Sequence, residues 1–387
     1  MIGARLRQTR LAAGLTLEQL SSGLTRPLTR QALSKYETNK SEPSASTLMD
    51  IARVLGVKPS HLLSESSVSV SWVFFRKHTN LGVRQEEAIT ATATRRLESE
   101  VELRSLFGVG LGARIPSKVA VKNLDDVEDA AQALRAAWHL SDGPINGLIE
   151  TIEDHGGVVM SWEEDSTFGG LSGWTDEGYP VLVINNTFPA DRRRFSAAHE
   201  LGHLFMTFRP PVDNEKFADR FAGAFLVPKD SALRELGTRR RSLSLDELGL
   251  LKQRWGLSML AWIHRARELE VIEQSLFRSL YALFRRRSWN LHEPHQYEGT
   301  EEPLLLRRLV WRALTEGIIS ERDAKEIDPS HDFVTSEAGG QERSLKQIAR
   351  LPREKRHRLM AAAVVEVDAE EVAVWDATTS DETDSTD

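Results

Sequence analysis

Residues 192–208 read RRRFSAAHELGHLFMTF, and residues 214–228, one short connection later, read NEKFADRFAGAFLVP. The first stretch contains His199, Glu200 and His203 in the spacing H-E-x-x-H. On a helix, residues four apart share a face, so both imidazoles reach one metal ion while Glu200 points to a neighbouring position suited to a reacting water. The helix is expected to run from about Asp191. Two histidines leave a catalytic zinc one protein ligand short. The second stretch reads as a helix stopped by Pro228. It carries Glu215 and Asp219, again four apart. Glu215 is assigned as the third ligand. Asp219 is assigned as the carboxylate that accepts a hydrogen bond from a liganding imidazole, fixing its tautomer and raising its basicity. A His, His, Glu set suits Zn2+ best, with manganese and iron as other acceptable ions. Glu200 is the expected catalytic general base: it takes the water's proton and passes it to the leaving amine.

Outward from this centre, residues 157–162 and 179–184 (YPVLVI) read as strands, joined by a Gly/Asp-rich hairpin region around 169–178. The strand at 179–184 is read in two ways, as an edge on which an extended peptide pairs or as a simple core strand. Helices are expected over 84–107, near 125–138 and 145–154, and through most of 191–327. The cluster LHEPHQYE, with His292, Glu293, His295 and Glu298, reads as a Pro-containing surface loop. Residues 328–344 read as a polar linker, 344–367 as an amphipathic helix, and DATTSDETDSTD as a segment with the composition of disorder.

The other end of the chain is different. Residues 2–63 read as five short helices. Thr16 with Gln19 has the spacing of a capping box, Thr29 caps a third helix, Pro43-Ser44 opens a fourth, and Gly56 ends it. On the third helix Leu33 and Tyr36 face inward, while Arg30, Gln31 and Lys35 face out. Residues at the start of a recognition helix reach base edges in the major groove, Arg favouring guanine and Gln adenine. Ser34, Lys40 and Gln19 are assigned to phosphates, which position without specifying.

Charge supports the division. Residues 1–65 hold nine Lys and Arg against five Asp and Glu, whereas residues 359–387 hold nine acids and no Lys or Arg, within a chain of net charge −7. A basic head and an acidic tail imply different partners. The 387 residues include no cysteine, which excludes disulfides, Cys nucleophiles and thiolate metal sites. No apolar run is long enough for a membrane span, and the first twenty residues carry no apolar signal core, so a cytoplasmic protein without membrane contact is expected.

Two resemblances follow. Thr29-Arg30-Gln31-Ala32-Leu33-Ser34-Lys35-Tyr36-Glu37, then Pro43-Ser44, resembles the Xre/Cro-type helix-turn-helix family, with a turn over 22–28 about two residues longer than the family's. Asp142-Gly143-Pro144-Ile145, Ile184-Asn185, residues 192–203 and residues 215–228 together resemble the ImmA/IrrE family of zinc metallopeptidase-like proteins. That family often carries Glu where this chain has Phe217, and the spacing to Asp219 favours Glu215. The resemblances imply a mainly α fold with a small β-sheet: a five-helix head over 1–65, a helical linker region over 66–124, and an α+β zincin-like (gluzincin-type) domain over 125–230. A helical extension over 231–327 and a linker, tail helix and acidic terminus over 328–387 complete the expected order. They also imply double-stranded operator DNA, bound by a homodimer, as one partner and a protein (repressor or toxin) as the other. Two readings compete. In one, a zinc endopeptidase cleaves a repressor, a partner or its own linker. In the other, a non-proteolytic autoregulating repressor or antitoxin uses zinc structurally or as a sensor. Retention of Glu200 favours the first, because a structural site needs no general base.

Overall fold

The head folds as its caps dictate. In the computed structural model the first five helices are α1 (Ile2–Ala12), α2 (Leu17–Gly23), α3 (Arg30–Glu37), α4 (Ala45–Val54) and α5 (Pro59–Leu63). Thr16 and Gln19 form a reciprocal capping box, and Thr29 and Ser44 each accept from the backbone N–H three residues on. Gly56 follows α4 with φ +67°, a left-handed conformation that suits glycine. Leu6, Leu20, Leu33, Ile51 and Leu62 are sealed in the head's own core.

The structure describes residues 2–64, 68–77, 82–109, 115–116, 118–163, 168–208, 213–289, 292–329 and 331–333. The expected tail helix and the acidic terminus lie outside these residues. After the head come β1 (Val70–Lys77), α6 (Val83–Phe107), β2 (Val119–Val121), α7 (Leu124–Ala137), α8 (Leu148–Asp154), β3 (Val158–Trp162), β4 (Phe168–Thr175) and β5 (Pro180–Asn185). Then follow α9 (Ala190–Phe205), β6 (Met206–Phe208), α10 (Asn214–Leu226), α11 (Lys229–Leu236), α12 (Leu245–Trp255), α13 (Met259–Glu268), α14 (Gln274–Arg286), α15 (Leu305–Thr315) and α16 (Glu321–Ile327). Among the described residues no helix is long and apolar enough to cross a membrane.

The main sheet is mixed, in the order β1-β4-β5-β3, with β5 antiparallel to β4 and parallel to β3. β2 and β6 pair separately, in parallel. Two expectations are corrected here. Residues 168–175 are not a hairpin connection but an inner strand of the sheet, and residues 70–77, placed in the helical linker region, are its edge strand. In consequence β5 is flanked on both sides, so of its two readings the core strand holds and the free edge for a peptide does not.

The described residues divide into two compact units. One comprises residues up to Glu98 and from 115 to Pro303; the other comprises residues from Ser99 to 109 and from Leu304 to 333. In the first, a single core runs from α7 through the sheet and α9–α10 to Trp262 and Phe284. The metal-helix core therefore does not stop at residue 230. In the second unit, Leu103, Leu309, Val310 and Ala313 pack together, and Arg104 pairs with Glu100 at 2.6 Å. The segment read as one helical extension over 231–327 is thus divided between the two, with α11–α14 in the first and α15–α16 in the second.

Candidate metal centre

Helix α9 lies across the sheet, and its buried face carries Ala197, Ala198, Leu201 and Leu204 as well as the histidines. Gly202 lets α10 close on it: a Cβ there would meet the Phe221 ring at 2.9 Å. This approach brings Glu215 to the two imidazoles. His199 Nε2 and His203 Nε2 stand 3.0 Å apart, and the Glu215 carboxylate oxygens lie 3.2 Å from His203 Nε2 and 3.6 Å from His199 Nε2. His199 Nδ1 faces Asp219 Oδ1 at 2.8 Å. Since a carboxylate only accepts, the His199 proton belongs on Nδ1, and the Nε2 lone pair is turned toward His203 and Glu215.

The donor set fits a small divalent ion. Tetrahedral ligands at about 2.0–2.1 Å from zinc stand roughly 3.3 Å apart, close to the three separations observed. Among the described residues these three form the one His/Asp/Glu group close enough to share a metal. Both histidines are buried, whereas Glu215 and Asp219 are half-buried, so the centre is least covered on their side.

Glu200 is buried beneath β4. The Ser172 hydroxyl donates to its Oε2 at 2.7 Å, and a Cβ on Gly170 would fall 2.4 Å from its Oε1. These two positions did not emerge from the sequence. The signal was FGGLSGWT itself, whose glycines mark close approach rather than a turn. Gly173 shows the same logic, since a Cβ there would meet Trp72 and the Ser71 carbonyl at 2.9 Å.

Several motif residues serve the frame instead of the centre. Arg135 donates to the carbonyls of Phe225, Ser141 and Gly143, and burial pushes its guanidinium down to about 10. It thereby holds the Asp142-Gly143 turn. Arg194 is buried against Glu301, which also accepts from the Leu148 and Ile149 amides at the start of α8. Arg220, next to Asp219, is clamped between Glu128 and Glu268, and burial raises the Glu268 carboxyl above its ordinary value against the pull of Arg220 and Arg265. Glu293 is also structural: it receives Lys252 at 2.8 Å and caps the Met259 and Leu260 amides. LHEPHQYE is therefore anchored at its centre. A cavity of about 420 Å³ lies beside the start of α9, with Phe195, Leu260 and Trp289 in its walls and Asp219 and His264 at its polar side. Burial lowers the His264 pKa, partly countered by Asp219.

In the head, Arg30, Gln31, Lys35, Lys40 and Gln19 are exposed, as is the cap Thr29, while Ser34 is half-buried and Leu33 fully buried. Gln19 Oε1 accepts from the Thr16 amide and from Arg84. The long turn before α3 is pinned: Thr25 donates through its amide and hydroxyl to Asp50, at 2.7 and 2.9 Å. Arg53 holds Asp50 from the other side, and its hydrogen bond keeps the Asp50 carboxyl below its ordinary value.

Comparison with known proteins agrees with both halves. Residues 6–62 match the family described as helix-turn-helix, and residues 153–267 match the family described as IrrE N-terminal-like domain. A curated relative is the SPbeta prophage-derived uncharacterized HTH-type transcriptional regulator YonR of Bacillus subtilis (strain 168), 36% identical over 63 residues. Those residues are 16% of this chain and 56% of that protein, so the chain spans little more than half the length of the relative it matches. The chain joins a helix-turn-helix head to an IrrE N-terminal-like domain.

Proposed function

We propose that the chain is a DNA-binding transcriptional regulator whose second domain is a zinc-dependent endopeptidase acting on a protein. The observation that carries the reading is the convergence of His199, His203 and Glu215 with Glu200 one residue along the same helix. The two histidines and Glu215 would hold the ion. When bound, zinc supplies Lewis acidity to the scissile carbonyl and acidity to a water. Asp219 keeps His199 in the tautomer that offers Nε2. Ser172 fixes the rotamer of Glu200. Glu200 takes the water's proton and hands it to the nitrogen of the breaking C–N bond, leaving a carboxylate and an amine. At the head, the exposed start of α3 enters the major groove. Arg30 and Gln31 read bases there; Thr29, Ser34, Lys35, Lys40 and Gln19 lie toward the backbone.

The test compares the full chain with Glu200→Gln, each co-expressed with the products of neighbouring genes. Metal content and every co-expressed protein are followed by mass spectrometry. The expected result is about one zinc per chain in both, with a cut product in the unaltered chain alone. Equal zinc and no cut product in either form would leave a regulator or antitoxin that acts by binding.

A further inference from the structure

The edge strand β1 occupies a telling place. It pairs antiparallel with β4, Phe74 opposite Ser172 and Arg76 opposite Gly170. Ser172 and Gly170 are positions of β4 that touch Glu200. β4 would otherwise be the sheet's free margin, and an exposed margin is where an extended peptide adds a strand. The chain's own residues 70–77 therefore run past the general base along the line such a peptide would take.

β1 is also unlike the strands it joins. Every residue of β5, and all of β4 but Trp174, is buried. In the first half of β1 none is: Val70 and Trp72 are half-buried, Ser71 is exposed, and Val73 is 48% exposed. The pairing is interrupted by a bulge between Trp72 and Phe74. Apart from Trp72, whose ring lies over Gly173, this half is attached by backbone pairing rather than by buried side chains. Finally, β1 lies outside both matched segments, 6–62 and 153–267, in the stretch that joins them.

We propose that residues 70–77 fill, in cis, the strand position of a peptide substrate, so that the site is closed until β1 is displaced and substrates enter by strand exchange. The occupant they must resemble is VSWVFFRK, an aromatic and β-branched run ending in basic residues. This rests on the peptidase reading of the same site. A tethered strand competes at an effective concentration on the order of millimolar, so a free peptide meets a heavily discounted site.

The probe is a fluorescently labelled peptide, VSVSWVFFRKHT, copying residues 68–79. It is titrated into the zinc-loaded full chain carrying Glu200→Gln, with residues 70–77 either intact or replaced by an eight-residue Gly/Ser segment. The replaced chain is expected to bind at least tenfold more tightly. Equal binding by the two, or no binding by a replaced chain with unchanged zinc content and helical circular dichroism, overturns the proposal. Ser71→Pro puts a residue without an N–H into the paired stretch opposite Trp174, weakening β1 without removing it, and serves should the replacement not fold. It should tighten binding several-fold, and an unchanged affinity overturns the proposal as well. Restoring Glu200 separates the two readings. Binding without cleavage sinks the peptidase and leaves the strand site, whereas cleavage of a co-expressed protein without probe binding sinks only the strand site.

Discussion

At the scale of single residues, the centre is decided by what surrounds the ligands. His199 with His203, and Glu215 with Asp219, were legible as pairs because helical spacing puts each pair on one face; the close approach of α10 to α9 at Gly202 is what brings Glu215 to the histidines. Gly170 was not, because its role is to be absent: Glu200 Oε1 lies where its Cβ would be. Gly170→Ala should push Glu200 off its Ser172 hydrogen bond, an overpacking strain of about 1–3 kcal/mol. The displacement falls on Glu200 and not on the proposed metal donors His199, His203 and Glu215, so zinc stoichiometry should be unchanged while the proposed cleavage falls at least a hundredfold. Loss of zinc along with cleavage would show that Gly170 shapes the whole centre and not the base alone. Asp219→Ala separates the other half of the arrangement. It removes the acceptor that orients His199, so zinc affinity should fall about 10–100-fold, measured by competition with a chelator, with Glu200 and Ser172 undisturbed.

At the scale of elements, the structure departs from the sequence reading wherever a polar residue does structural work at long range. The head's caps were legible because a cap and its partner sit three residues apart. Glu301 was not: it joins the amides of Leu148 and Ile149 to Arg194 across about 150 residues of sequence. Glu301→Ala leaves the Arg194 charge buried without its carboxylate and the first turn of α8 uncapped. Breaking a buried pair from one side costs about 3–5 kcal/mol, which denaturant unfolding of the full chain should register. A loss below about 1 kcal/mol, the range of surface pairs, would mean that water replaces the carboxylate. The strands failed for a related reason. VSVSWV alternates as a strand does, yet it falls in the stretch placed in the helical linker region. FGGLSGWT carries glycines that usually mark a turn, and here they admit Glu200 and Trp72. Strand identity depended on neighbours that periodicity does not report.

At the scale of the whole molecule, two properties must be told apart: the integrity of the head and that of the metal-bearing fold. The head's core is formed by its own helices, from Leu6 to Leu62, and the metal donors belong to a different core. The chain's nine tryptophans all lie beyond residue 65, and the head's one aromatic residue is Tyr36. Tryptophan fluorescence therefore follows everything except the head, and DNA binding follows the head. A ligand that binds only the folded state at a hundred times its Kd stabilises by about 2.7 kcal/mol. For a fold of this size that is a midpoint shift of roughly 5–10 °C. Chelation should lower the tryptophan-monitored midpoint by that amount while leaving the affinity for a mixed-sequence duplex, measured at fixed salt, unchanged. The salt-bridged contact of Arg5 with Glu98 at 2.5 Å, joining α1 to α6, is the most buried of several bonds between the head and α6, which include those of Arg84 with Gln19 and of Arg7 with Glu87. Should chelation also weaken DNA binding, Glu98→Gln would show whether this pair carries the effect: the loss on chelation would disappear in that variant if it does, and persist if the coupling runs through other bonds of α6 such as Arg84 with Gln19.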